Sequence, residues 1–343
     1  MFERELAATA AAMIAPGKGL LAIDESSGTI KKRFDQINVD SNVETRRAYR
    51  DLLISADGLS QFISGMILYD ETIRQATAAG TPFPAAMKKT GILTGIKVDT
   101  GAKQLAGGAG EQVTEGLDGL RERLVEYKKL GATFAKWRAV ITIGQNLPSD
   151  YCIAANVHAL ARYAALCQEA GIVPIVEPEV LMDGSHSLER CFDATENTLQ
   201  ALFRELYRQR VRVEHTILKA SMVIAGKDCA QQAGVPQVAD ATVHCLKRTV
   251  PAALPGIVFL SGGQSDELAT AHLNAMNAKG AALPWPLSFS YGRALQAPAL
   301  KAWRGQPGNV PAAQKALFHR AKLNGAACFG RYRTEMEKDA LAA

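Results

Sequence analysis

The chain has no apolar run of about 18 residues, so its sequence predicts no membrane-spanning helix. Its six cysteines, Cys152, Cys167, Cys191, Cys229, Cys245 and Cys328, are scattered, and no two form a C-x-x-C pair. That pattern excludes a disulfide framework and suits reduced thiols in a cytoplasm. The six histidines are equally dispersed, with no H-x-x-x-H spacing and no Cys/His cluster. No histidine-built metal site is expected, and no metal or cofactor is assigned. Tracts of lysine and arginine are absent and the formal net charge is only +5. No nucleic-acid surface is therefore expected, and the mild excess favours anionic small molecules. The opening stretch, "MFERELAATAAAMIAPGKG", places Glu3, Arg4 and Glu5 before an Ala-rich run. It reads as an amphipathic helix stopped by Pro16 and Gly17, not as a secretory signal.

What the chain does contain is apolar: 48% of its 343 residues are hydrophobic and 21% charged, enough to bury a large core. Eight short strand candidates recur along it, at 19–24, 63–70, 95–99, 134–142, 172–178, 215–223, 256–263 and 287–292. Helical periodicity fills most of the gaps. In "GLDGLRERLVEYKKLG", Leu117, Leu120, Leu124, Val125 and Tyr127 fall near one face, and Gly131 and Gly171 fit helix C-caps. Eight β units alternating with helices, in one composition regime, predict an α/β fold: a single (β/α)8 barrel domain over residues 1–343. A helix precedes it, and a final helix and a polar tail from about residue 331 lie outside it. An open doubly wound sheet is the competing architecture, but the first strand is followed by "AIDESSGTI", not by a Gly-rich dinucleotide fingerprint. The connections 25–62 and 71–94 are long.

Barrel enzymes carry their chemistry at the C-terminal ends of the strands. Here those ends are charged. They hold Asp24, Glu25 and Ser26; Lys97 and Asp99; Lys136 and Arg138; Glu177 and Glu179; and Lys219. Residues at i and i+2 share a strand face, so Lys136 and Arg138 point one way together, as do Glu177 and Glu179. Any one pair can be a salt bridge at the barrel mouth. So many charged strand ends together predict a polar site that shifts pKa values. Lys219 sits in the apolar run "HTILKASMV", where burying an ammonium is costly. Cationic neighbours such as Lys136 and Lys97 would favour its neutral, nucleophilic form. A neutral amine attacks a ketone to form a Schiff base, whose protonated form draws electrons from an adjacent carbon–carbon bond. Asp24, Glu177 and Glu179 are the carboxylates available for the proton transfers. After the seventh and eighth strands, "LSGGQS" and "SYGR" offer Ser261, Gly262, Gly263, Ser290, Gly292 and Arg293, a set suited to a phosphate.

Together, "LAIDESSGTI", "GIKVDTG", "FAKWR", "GIVPIVEPEV", "FLSGGQS" and "SFSYGRALQAPALKAW" resemble class I fructose-bisphosphate aldolase, the metal-independent type. The resemblance runs from about Pro16 to Cys328. It implies reversible cleavage of fructose 1,6-bisphosphate to dihydroxyacetone phosphate and glyceraldehyde 3-phosphate, with a phosphorylated sugar as ligand, a cytoplasmic location and a homotetramer. Carried over by motif, Lys219 is the Schiff-base lysine and Glu177 the main acid/base around imine formation. Asp24 handles the proton of the hydroxyl at the broken bond, beside Lys136, which is paired with Glu179. Ser261, Gly262, Ser290, Gly292 and Arg293 hold the 1-phosphate. Lys97, Arg138, Ser26, Thr29 and Arg33 lie toward the 6-phosphate. The chain departs from the family at Ala220 and Ser221, where animal enzymes have Pro-Asn, at Thr100, where a lysine is common, and in lacking a C-terminal tyrosine. Other Schiff-base barrels, transaldolase and deoxyribose-phosphate aldolase, and a catalytically silent scaffold remain as alternatives.

Overall fold

A computed structural model describes residues 2–279 and 282–340. Ten strands follow in chain order: β1 Gly19–Ile23, β2 Ile63–Leu68, β3 Leu93–Lys97, β4 Gly101–Gln104, β5 Gln112–Glu115, β6 Phe134–Ile141, β7 Val173–Val180, β8 Ile217–Ala220, β9 Ile257–Phe259 and β10 Leu287–Tyr291. Eight of them close into a barrel in the order β1-β10-β9-β8-β7-β6-β3-β2. Every pairing in it is parallel. The barrel strands are mostly apolar because one face meets the helices and the other fills the interior. The predicted (β/α)8 architecture is therefore the one observed.

Phe134 fills the lower part of the barrel lumen. Gly65 and Gly95 face it, and a Cβ at Gly95 would fall 2.1 Å from the Phe134 ring. The helix Glu3–Met13 closes the bottom, with Leu6, Ala10 and Met13 packed in one cluster with Leu20, Phe134, Val173, Ile175, Ile217 and Val258. With the base sealed by apolar side chains, charge can gather only at the opposite end.

Several boundaries differ from the sequence expectation: β9, expected over 256–263, spans only Ile257–Phe259, and β7, expected over 172–178, runs Val173–Val180. The stretch 215–223 was expected to be a single strand, but β8 spans only Ile217–Ala220. Met222, Val223 and Ile224 are buried in the loop after it, so burial, not ladder bonding, makes that run apolar. Between β3 and β6 lies an antiparallel hairpin, β4–β5, that the sequence reading did not contain. It begins two residues after Asp99, and its Gly101 and Ala102 border the mouth. The expected polar tail is structured through 340: a 3-10 turn covers Thr334–Ala340, and Glu337 pairs with the buried Arg320. Leu341, Ala342 and Ala343, part of that expected tail, lie outside the described residues.

Candidate active site

Register puts the charges in rows. Lys97 of β3 is aligned with Lys136 of β6, and Arg138 of β6 with Glu177 of β7. Aligned residues on neighbouring strands face the same way, so these side chains converge on the lumen above the apolar plug. They line a cavity of about 440 Å³, together with Asp24, Ser26, Thr29, Arg33, Asp99, Glu179, Lys219, Ser261, Gly262, Ser290, Gly292 and Arg293. All fifteen residues proposed from sequence thus border one space.

Lys219 Nζ lies 2.8 Å from Glu177 Oε1. Glu177 Oε2 lies 3.4 Å from Lys136 Nζ, which is 2.8 Å from Asp24 Oδ2. The result is an alternating chain, amine–carboxylate–amine–carboxylate, with Lys219, Glu177 and Lys136 at 5%, 2% and 3% exposure. The immediate neighbour of Lys219 is a carboxylate, not the cation expected from sequence. Burial by itself would raise the Asp24 pKa, but Lys136, Lys219 and Lys97 outweigh it and hold the carboxyl well below its ordinary value. Burial by itself would lower the pKa of Lys136, yet Asp24, Glu177 and Asp99 hold it protonated far above the usual range. Mutual attraction in a poorly hydrated site exceeds the cost of desolvation here.

One expected pairing is replaced. Glu179 was assigned to Lys136, but it is bound by the guanidinium of Arg138 instead. Glu179 is aligned with Val140, four positions beyond Lys136 along β6 and two beyond Arg138. That height leaves Arg138 as its partner. Asp99 was counted among the charged strand ends but given no role. It lies 3.0 Å from Lys97 Nζ and 3.9 Å from Lys136 Nζ, and accepts from the backbone N–H groups of Gly101 and Arg138. It therefore braces two cations and the start of the hairpin. Arg50 and Gln296 escaped the sequence reading, and Glu25 and Arg33 were named there without the link between them. Glu25 accepts from Arg33, Arg50 and Gln296. These four are far apart in the chain, and no local pattern joins them.

The loops after β9 and β10 meet on the far side. Gly262 and Gly263 have φ of 59° and 98°, in the left-handed region that favours glycine. Arg293 folds over this turn, its Nη1 3.9 Å from where a Gly263 Cβ would stand. Ser290 Oγ is buried without a hydrogen-bond partner, a free donor in the cavity wall. Arg33 Nη2 stands 3.9 Å from the Cβ position of Gly292, so Arg33 bridges from its own helix, which carries Thr29 and is capped by Ser26, across to Gly292. Ser221, at one of the departures from the family pattern, donates to Val180 O at 2.9 Å and ties the end of β8 to β7. A wider cleft of about 810 Å³ opens from the mouth between the helices Ser27–Asp35 and Arg293–Trp303.

Among the described residues, no group of three or more His, Cys, Asp and Glu side chains is arranged to hold a metal ion. No helix among them is long and apolar enough to cross a membrane.

The family described as glycolytic, fructose-bisphosphate aldolase class-I, matches residues 5–343. The chain belongs to that family. A Xylella fastidiosa protein named "Probable fructose-bisphosphate aldolase class 1" is 62% identical over 330 residues, covering 96% of this chain and 98% of that one. The cytosolic fructose-bisphosphate aldolase 4 of Arabidopsis thaliana is 52% identical, over 97% and 85% of the two chains. Fructose-bisphosphate aldolase B of Gallus gallus is 50% identical, over 99% and 94%. The solved Plasmodium falciparum aldolase, in complex with TRAP and a small-molecule inhibitor, superposes with a TM-score of 0.95 at 48% identity, covering 96% of this chain and 95% of its own. As a class I aldolase, the protein cleaves fructose 1,6-bisphosphate reversibly to dihydroxyacetone phosphate and glyceraldehyde 3-phosphate through a lysine Schiff base.

Proposed function

We propose that Lys219 is the Schiff-base lysine and that Glu177, Lys136 and Asp24 carry the proton traffic around it. The observation that supports this is the alternating ion-pair chain from Lys219 to Asp24 inside one buried cavity. Glu177, 2.8 Å from the amine, takes its proton as Nζ attacks the C2 carbonyl, and then returns a proton to the departing water. The iminium that results withdraws the electrons of the C3–C4 bond. As that bond breaks, the C4 hydroxyl gives its proton to Asp24. Asp24 is a weak base in the resting site, because three lysines stabilise its ionised form. Lys136 compensates by stabilising the oxygen while its charge develops. Glu179 acts at one remove, by holding Arg138.

Ser261, Gly262, Ser290, Gly292 and Arg293 bind the 1-phosphate in this reading. Lys97, Arg138, Ser26, Thr29 and Arg33 bind the 6-phosphate. The protein works as one barrel domain in the cytoplasm, as a homotetramer, without metal, nucleic acid or membrane. The tetramer and the location rest on the family resemblance.

The test is borohydride reduction in the presence of dihydroxyacetone phosphate, with excess EDTA throughout. A covalent adduct on Lys219, and undiminished fructose 1,6-bisphosphate cleavage, are expected. An adduct on Lys136 or Lys97, or an unchanged adduct yield in Lys219→Ala, refutes the assignment.

A further inference from the structure

Glu25 follows Asp24 directly but turns away from the ion-pair chain. It is 9% exposed and satisfies three elements at once. Oε1 accepts from Arg33, on the helix Ser27–Asp35, and from Gln296 Nε2 at 2.7 Å, on the helix Arg293–Trp303. Oε2 accepts from Arg50 Nη2 at 2.7 Å, on the helix Val43–Ile54. Gln296 Nε2 also donates to Ala22 O at 2.6 Å, which fixes the amide against β1. Arg50 is 2% exposed. Arg33 extends out of the cluster, with Nη1 held by Glu25 and Nη2 toward Gly292 and the mouth. Burial would raise the Glu25 pKa, but Arg50 and Arg33 outweigh it and keep the carboxyl below its ordinary value. Arg33 is a long, rotatable side chain. Without an anchor, it would have to be ordered anew by each substrate.

We propose that Glu25 is a positioning residue for the phosphate end of the substrate: by clamping Arg33 against Arg50 and Gln296, it presents one guanidinium edge, already oriented, to the 6-phosphate. The inference rests on the assignment of Arg33 to that phosphate. Glu25 touches no substrate and acts through Arg33.

The test is a double-mutant cycle in the full-length enzyme: Glu25→Gln, Arg33→Ala and the pair. Both single variants are expected to raise KM for fructose 1,6-bisphosphate about tenfold, with kcat of Glu25→Gln within about threefold of the parent. The pair is expected to be no worse than Arg33→Ala, since Glu25 has nothing left to position. Additive losses, a fall in KM in Glu25→Gln, or a loss confined to kcat overturns the proposal. An unchanged KM in Arg33→Ala, or an equal rise for fructose 1-phosphate, instead overturns the reading of Arg33 on which it rests. If Glu25→Gln does not fold, Glu25→Asp keeps the charge one methylene short and runs the same cycle, with the same non-additivity expected and additivity again refuting.

Discussion

Replacing Lys136 with methionine removes a buried cation that Asp24, Glu177 and Asp99 share at 2.8, 3.4 and 3.9 Å. Methionine has similar length and no charge, so the main loss is electrostatic. Its side chain is 4% exposed and that of Asp24 14%, so water cannot take over. Leaving one partner of a buried pair uncompensated costs roughly 3–5 kcal/mol. The loss should depend on pH. Asp24 is held below its ordinary value of 3.8 in the folded protein, chiefly against burial and by Lys136. A depressed carboxylate contributes stability above its unfolded pKa and loses it as pH falls through the folded pKa. In Lys136→Met the largest attraction on Asp24 is gone, and its pKa rises. The stability gap between parent and variant is thus widest near neutrality and narrows below about pH 4. Urea unfolding of both proteins at intervals from pH 7 to pH 3 measures it. A gap that stays constant across that range refutes the account of Lys136 as the counter-charge of Asp24. Fructose 1,6-bisphosphate cleavage should fall by about 10²–10⁴, since proton transfer and charge stabilisation at C4 are lost together.

Arg293→Ala should weaken dihydroxyacetone phosphate binding by roughly 1.5–3 kcal/mol, one charge-assisted contact; equal affinity by calorimetry would remove Arg293 from the phosphate site. Gly95→Ala drives a methyl into the Phe134 ring, and should cost about 1–3 kcal/mol in urea unfolding. Deleting residues 334–343 strips Glu337 from Arg320, which is only 3% exposed. A stability loss of roughly 3–5 kcal/mol is expected. Tyr332→Phe removes only the hydrogen bond from that hydroxyl to Glu337. It should leave cleavage within about tenfold; a hundredfold loss with Schiff-base trapping intact would make Tyr332 a proton donor.

The barrel was legible because its strands are apolar runs bounded by glycine and charge, and because no second composition regime interrupts them. The hairpin β4–β5 was not, since "GAKQ" and "QVTE" are short, polar and only partly covered. The end of β8 was misplaced because Met222 to Ile224 are as buried as a strand without belonging to one. Lys219, Lys136, Glu177 and Asp24 stood out as charges in apolar runs. Which cation meets which carboxylate did not, because strand stagger sets the height of each side chain. That is how Arg138, and not Lys136, came to hold Glu179. The clamp of Glu25, Arg33, Arg50 and Gln296 joins residues up to 271 positions apart, beyond any local pattern.

The alternating chain has a consequence for how substrate arrives. Lys97, Lys136, Arg138 and Lys219 are matched within the cavity by Asp24, Asp99, Glu177 and Glu179, so their formal charges cancel. At distances beyond about 8–10 Å such a set exerts little net pull on a dianionic phosphate in physiological salt. Long-range attraction must then originate at the rim, from Arg33, Arg293 and the Lys32, Lys301 and Arg304 side chains of the neighbouring cleft. Encounter and chemistry are thereby separated in space. The ionic-strength dependence of kcat/KM belongs to the rim, while the central charges can be set for proton transfer without regard to capture.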